Sequence, residues 1–326
     1  MRRREFITLV GGGALAWPRA ARAQQPALPV VGFLSARAPG ESPQILAAVR
    51  QGLKDSGFAE GQSLAIEYRF AQNQIERLPA LAADLVHRQV SVIVASGTQA
   101  ALAAKAATAT VPVVFEIGGN PIQRGLVDSL NRPGANVTGV TQLNEEVALK
   151  RLEALHELLP AARVIALLVN PTNPNAEAQS NNFLSAAHSL KLELHVLKAS
   201  TERDFDAAFA TLIQLRADGL VIGPDTLFIT MQEQLAARTV RRAMPAVFED
   251  RVFVAAGGLM SYGASLVDSY RLAGVYAARI LKGERPGELP VQQATKIELF
   301  LNLKTAKALG ITIPLTLLGR ADEVIE

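Results

Sequence analysis

Short apolar runs and longer amphipathic ones alternate along this chain. Val30 to Ser35 (VVGFLS) has the near-continuous hydrophobicity of a strand covered on both faces. From Gln44 to Ser56 the apolar residues Ile45, Leu46, Val49 and Leu53 recur at a helical period, and Gly57 stops the run. Ser42 stands at the cap position of that helix, with Pro43 as its first residue. Leu64 to Phe70 alternates as a strand, and Ile75 to Arg88 reads as a helix. Val92 to Ala95 is another buried strand, followed at once by Ser96-Gly97-Thr98. Gln99 to Thr108 is Ala-rich and free of Pro and Gly, which favours helix. Val111 to Ile117 is the next strand, and Gly118-Gly119-Asn120-Pro121 is its exit loop. A helix is expected over Gln123 to Leu130 and a turn at Asn131-Arg132-Pro133-Gly134. A short extended segment with a central glycine follows at Val137 to Val140.

A second unit repeats the first. Val147 to Leu159 reads as helix, Val164 to Val169 (VIALLV) as strand and Asn170 to Asn175 (NPTNPN) as its polar loop. Helix Ala176–Leu190, strand Leu192–Leu197, and a capped helix from Thr201-Glu202-Arg203-Asp204 through Leu215 come next. Gly219 to Ile222 is a strand with Gly223-Pro224-Asp225-Thr226 as its loop, and a helix is expected over 230–242. Met244-Pro245-Ala246-Val247-Phe248-Glu249 then matches Val111-Pro112-Val113-Val114-Phe115-Glu116 in the first unit. The alternation predicts an α/β fold of two doubly wound lobes, each a parallel sheet of βαβ units with right-handed crossovers.

The tail reads as Ala255 to Gly263 (AAGGLMSYG), a helix over 265–282, a polar linker Gly283–Pro290, an extended run Val291–Asn302 and a helix over 304–309. Val137–Val140, Ala255–Gly263 and the run near Pro290–Thr295 are expected to cross between lobes. That arrangement assigns 28–138 with 257–288 to lobe 1 and 139–256 with 289–326 to lobe 2. Glycine in a crossing suits hinge closure about a ligand. The alternative is an ordinary buried strand with a Gly-rich entry.

Two such lobes in series predict a ligand cleft between the carboxyl edges of their sheets. Lobe 1 would offer Ser35, Ser96, Gly97, Thr98, Gly119 and Asn120; lobe 2 would offer Asn170, Asn173, Asp225, Thr226 and Glu249. Ser96 or Thr98 would cap the helix after them, leaving free N–H groups where a carboxylate could sit. One wall is then rich in hydroxyls and N–H groups, and the other carries two carboxylates. A solute with a carboxylate at one end and an ammonium or hydroxyl at the other suits that polarity. Ser96 and Asp225 could equally be simple helix caps, and Glu249 a surface charge.

Composition alters this picture at the N-terminus. Arg2-Arg3-Arg4 precede a modestly apolar stretch, Phe6 to Trp17, and Ala21-Arg22-Ala23 has the small-x-small pattern of a signal-peptidase site. Arg3-Arg4-x-Phe6-Ile7 resembles the twin-arginine address of folded exported proteins. Residues 1–23 are therefore expected to be an export signal, cleaved near Ala23, with the mature protein periplasmic. The whole chain has 33 basic and 30 acidic side chains. Removal of Arg2, Arg3, Arg4, Arg19 and Arg22 with Glu5 leaves 28 against 29, so no nucleic-acid footprint remains. The absence of cysteine excludes disulfides, thiolate nucleophiles and Cys-ligated zinc.

The stretches AAGGLMSYG, TERDFDAAFATL, ELPVQQATKIEL, NLKTAKALG and the terminal RADEVIE carry a resemblance. With them the chain is similar, over nearly all of 28–326, to the exported substrate-binding proteins of ABC transporters, in the group that includes the tryptophan/tyrosine-type binding proteins. The resemblance implies a type I periplasmic-binding fold, closure on a small-molecule solute such as an amino acid or related carboxylate, no cofactor, and an ABC permease as membrane partner. It implies ligand loops at Ser35, Ser96-Gly97-Thr98, Gly119-Asn120, Asn170 and Asp225. This chain has Phe248-Glu249-Asp250-Arg251 where relatives often carry a Tyr-Glu-Trp-Arg type run. The loss of aromatics there counts against an aromatic ligand, and Phe33, Phe115, Phe228 and Tyr262 are the stacking candidates.

Enzyme signatures are missing: the sequence has no Gly-x-Ser-x-Gly elbow, His-Glu-x-x-His site or Walker loop. The histidines at 87, 156, 188 and 195 fall in or beside predicted helices and a strand, not in the cleft loops. A repressor needs a DNA-binding headpiece where the signal stands, and a receptor needs a membrane helix that no run is long enough to form. The expectation is a monomeric solute-binding protein without chemistry of its own. A ligand sensor without transport, or an exported enzyme, is the alternative.

Overall fold

The computed structural model describes residues 28–142 and 144–326, without the side chains of 144–146; the expected export signal lies outside the described residues. The first unit runs β1 (Val30–Ser35), α1 (Pro43–Asp55), β2 (Ala65–Phe70), α2 (Leu78–His87), β3 (Val92–Ser96), α3 (Thr98–Ala107), β4 (Val113–Ile117) and β5 (Val137–Thr141). The second runs α4 (Asn144–Leu158), β6 (Val164–Val169), α5 (Ala176–Ser189), β7 (Glu193–Lys198), α6 (Asp204–Leu215), β8 (Gly219–Ile222), α7 (Thr226–Thr230), α8 (Gln232–Arg241), β9 (Ala246–Phe248), α9 (Arg251–Ala255) and β10 (Met260–Ala264). The tail adds α10 (Leu266–Leu281), β11 (Gln292–Gln293), β12 (Ile297–Asn302), α11 (Leu303–Ala308), α12 (Leu315–Leu318) and β13 (Glu323–Ile325).

Two sheets result, ordered β11-β5-β4-β3-β1-β2 and β13-β12-β10-β9-β8-β6-β7. From the middle outward both follow one doubly wound plan, and the strands from β1 to β5 and from β6 to β10 pair in parallel. The central strands β3, β4 and β8 are wholly buried, as their continuous apolar runs require. The tail strand β12 pairs with β10 antiparallel and closes the second sheet.

Each unit sends its following helix into the other lobe. After β5 the chain enters α4, which packs on α5 and β10 of the second lobe. After β10 it enters α10, which packs on α1, β3, β4 and β5 of the first. The crossings thus follow Thr141, Ala264 and Gln293. Met260–Ala264 is an inner strand of the second sheet, and Val137–Thr141 lies between β4 and β11 in the first. The crossings therefore fall later than the expected boundaries at 138, 256 and 288. Both glycine-containing segments follow the buried-strand alternative. In each, a neighbouring strand's carbonyl lies where a Cβ would go: Phe115 O at 2.1 Å from that position at Gly139, and Glu249 O at 2.0 Å at Gly263.

The helix expected over Gln123–Leu130 is a series of turns instead. Gly125 has a φ of +66°, outside helical space. Lys105 Nζ takes the carbonyls of Gly125 and Leu126 at 2.6 and 3.2 Å, so their hydrogen bonds are made without a helix. Leu126 and Val127 stay buried under this loop. Among the described residues no helix is long and apolar enough to cross a membrane.

Candidate functional site

The carboxyl ends of the two sheets face one another, and the loops there enclose the cleft. On the first lobe, Gly97 caps α3 with a φ of +88°, a conformation open to glycine at little cost. No side chain caps α3, so the expected Ser96 or Thr98 cap does not form and both hydroxyls are free for other partners. Arg37 Nη1 donates to Ser96 Oγ at 3.0 Å, and Ser96 Oγ lies 2.6 Å from Tyr270 Oη. Tyr270 and Gln142 both hydrogen-bond Glu116, the latter from Nε2 to Oε1 at 2.7 Å. A buried relay thus runs from a guanidinium through two hydroxyls to a carboxylate. Burial pushes the Glu116 carboxyl up to about 7, against the pull of its hydrogen bonds to Tyr270 and Gln142 and of the Arg37 charge. The Tyr270 phenol is also driven up, first by burial and then by the charge of Glu116.

The second lobe answers with amides and carboxylates. Asn170 Nδ2 and Asn173 Nδ2 donate to Asp225 Oδ1 and Oδ2 at 3.0 and 2.6 Å. Asp225 Oδ1 also caps α7 by accepting from Leu227 N, so the cap and the cleft position are the same residue. Glu249 Oε1 accepts from Asp225 N at 3.2 Å. Burial raises the carboxyls of Asp225 and Glu249, the latter to about 8. The Arg151 charge opposes that rise at Glu249, whereas those of Asp250 and Asp225 add to it. Arg151 itself is fully buried on α4, donates Nε to Tyr262 O at 2.7 Å, and is lowered to about 10 by burial.

The lobes touch across the cleft. Asn175 Nδ2, at the start of α5, donates to Thr98 Oγ1 at 3.0 Å. Arg124, in the loop that replaces the expected helix, donates to Pro174 O. Between the lobes lies a cavity of about 60 Å³. Arg37, Glu116, Gln142 and Tyr270 line it from one side, Asn173, Gln179, Asp225 and Glu249 from the other.

Of the residues expected at the cleft, the structure brings Gly97, Thr98, Asn173, Asp225, Thr226 and Glu249 to this cavity. Ser96 stands one layer behind, on Arg37 and Tyr270, and Asn170 stands behind Asp225. Gly119 lies against Asn175, close enough that a Cβ would fall 2.4 Å from its Oδ1. Ser35 accepts from Arg37 N and borders a separate small pocket under α1. Asn120 caps its own turn through Ile122 N and Gln123 N. The stacking candidates are elsewhere: Phe33 packs on Tyr68 and Phe70, Phe228 on Phe205, Phe115 is wholly buried, and Tyr262 packs in the second-lobe core. Tyr270 is the aromatic on the cavity. Its position behind the second crossing hid it in the sequence. Glu116 had a signal, because it repeats Glu249 in the matching strand. Arg37 and Arg151 had none.

A family model described as ABC transporter substrate binding protein matches residues 39–325. A tyrosine-binding protein of Clostridioides difficile (strain R20291) is 27% identical over 262 residues, 80% of this chain and 75% of that protein. A crystal structure of a conserved domain protein from Vibrio cholerae superposes with a TM-score of 0.83 at 26% identity, covering 91% of this chain and 99% of that one. A domain from Streptococcus pneumonia solved with L-Trp superposes with a TM-score of 0.81 at 24% identity, covering 90% and 100%.

Proposed function

The chain belongs to the ABC transporter substrate-binding proteins, and from that premise we propose that it captures a small amino-acid-class solute between its lobes and presents the closed form to a membrane permease. It is a binding protein and carries out no chemistry on the solute. It works as a monomer in the periplasm after export, with residues 1–23 as the signal. The single observation that carries the solute class is a polar cavity between the lobes with buried charges of both signs, the Arg37 guanidinium and the carboxylates of Glu116, Asp225 and Glu249. Such a cavity suits a zwitterion, because each ligand charge finds a desolvated partner. The name of the Clostridioides difficile relative supports an amino acid. The amide-rich lining favours a polar side chain over an aromatic one.

Thr98 and the free N–H groups of α3 receive the solute's carboxylate together with Arg37, while Asp225 and Glu249 receive its ammonium. Ser35, Ser96, Gly119, Asn120 and Asn170 shape these groups from behind. A thermal-shift screen against amino acids, aromatic acids, purines, sugars and polyamines tests this reading, since a ligand bound to the native state alone raises the melting temperature. A shift confined to sugars or purines overturns it. With the solute in hand, Thr98→Ala and Asp225→Ala should each weaken binding by roughly 1–3 kcal/mol. Unchanged affinity in both would remove the polarity assigned to the cleft.

A further inference from the structure

The charges in and around the cavity do not balance. Glu116, Asp225 and Glu249 line it, and Arg37 is the cation among its lining residues. Immediately behind them, Arg151 and Asp250 act on Glu249, and Asp250 acts on Glu116 as well. Four carboxylates therefore stand against two guanidinia, and all six side chains are buried. An excess of negative charge on buried side chains is costly unless a cation or protons offset it. A zwitterion of no net charge leaves that excess where it is.

Two orphaned atoms show what else the cavity lacks. Arg37 Nε is buried without an acceptor, and Asn175 Oδ1 is buried without a donor. Both residues line the cavity. The first asks for an anion on the solute; the second lies against Gly119. The carboxylates are also split between the walls, Glu116 at the end of β4 and Glu249 just past β9. One ammonium serves one wall. We infer that the solute is a diamino monocarboxylic acid, its carboxylate on Arg37 and its two ammonium groups divided between Glu116 and the Asp225–Glu249 pair. The inference rests on the amino-acid reading of this cavity and names its class.

The solute-free carboxyls agree with this picture. Glu116 faces Tyr270, Gln142, Arg37 and Asp250, and Glu249 faces Arg151, Asp250 and Asp225; burial holds them at about 7 and about 8. An ammonium placed beside either lowers its pKa, so binding near neutral pH releases protons. The test is calorimetric titration of the full chain at pH 7, in two buffers of different ionisation enthalpy. The probes are L-2,4-diaminobutyrate, L-ornithine, L-alanine, L-tyrosine and putrescine. We expect one of the two diamino acids to bind at least tenfold tighter than L-alanine, L-tyrosine or putrescine, with net proton release. Glu116→Gln, an isosteric change, should weaken the diamino acid at least tenfold. L-alanine or L-tyrosine binding as tightly overturns the diamino class and leaves the amino-acid reading standing. Putrescine binding as tightly overturns the role of Arg37. No binding of any probe to a chain that melts cooperatively sinks both readings.

Discussion

The ends of β4 and β9 hold the same residue in the same place, yet the two lobes treat it differently. Glu116 and Glu249 close matching segments, Val111-Pro112-Val113-Val114-Phe115-Glu116 and Met244-Pro245-Ala246-Val247-Phe248-Glu249. Each is buried at the cavity wall. Around Glu116 the partners are hydrogen-bonding groups, Gln142 and Tyr270, with Arg37 at the far end of the relay. At Glu249 the opposing charge is the Arg151 guanidinium, and the carboxylates of Asp225 and Asp250 crowd it. Burial raises both carboxyls, to about 7 at Glu116 and about 8 at Glu249; hydrogen bonds oppose the rise at the first, and at the second the Arg151 charge opposes it while the neighbouring carboxylates add to it. A sequence repeat fixes where a carboxylate ends up. Its ionisation is set by whatever the rest of the chain packs beside it.

Removing the cation should have the largest effect. Arg151→Met removes the charge that opposes the rise of Glu249 and leaves the Tyr262 carbonyl without its donor, a loss of about 2–3 kcal/mol. Urea unfolding at pH 9, where Glu249 is ionised, should show that loss, and Glu249→Gln in the same chain should restore part of it. If the double variant is as unstable as the single one, Arg151 is not matched to Glu249. The glycines beside the two walls come next. Gly139→Ala drives a Cβ to 2.1 Å from Phe115 O, and Gly263→Ala drives one to 2.0 Å from Glu249 O. Both positions are backbone against backbone, so each should cost about 1–3 kcal/mol or more, read as a lowered Tm. An unshifted Tm in either would mean that the strands have slack the geometry denies.

A pH titration of stability separates the two carboxyls. Each has a folded pKa above its unfolded value, so between the two values the native state holds more protons than the unfolded one. Stability contributed by the protonated form is full below the ordinary glutamate range, near 4.5, and is lost as pH rises toward about 7 for Glu116 and about 8 for Glu249. The solute-free protein should thus weaken between about pH 5 and pH 8. Glu116→Gln and Glu249→Gln should each flatten that slope. A slope of opposite sign that follows either glutamate would refute the burial argument. The smallest effect belongs to the lobe contact. Asn175→Ala removes one hydrogen bond to Thr98, about 1 kcal/mol, and small-angle scattering of the solute-free protein should show a larger radius of gyration. No change would mean that the Asn175–Thr98 hydrogen bond does not hold the lobes closed.

The periodicity of the chain set the alternation of strand and helix, the two-lobe plan and the internal repeat. Those follow from local burial patterns, which a strand or helix carries in its own residues. The same patterns put Thr98, Asp225 and Glu249 at loop ends where parallel sheets open. Gln123–Leu130 misled because helical propensity cannot see Lys105, whose ammonium takes the carbonyls that a helix would have used. The crossings misled because a glycine reads alike in a hinge and under a neighbouring strand's carbonyl. Tertiary structure alone brought Arg37, Tyr270, Gln142 and Arg151 together with the two glutamates. Tyr270 arrives on α10 after the second crossing, Gln142 stands at the first, and Arg151 comes on α4 just past it. Interactions between charges and hydroxyls depend on distance and desolvation through space, and neither quantity is written in the spacing of residues along the chain.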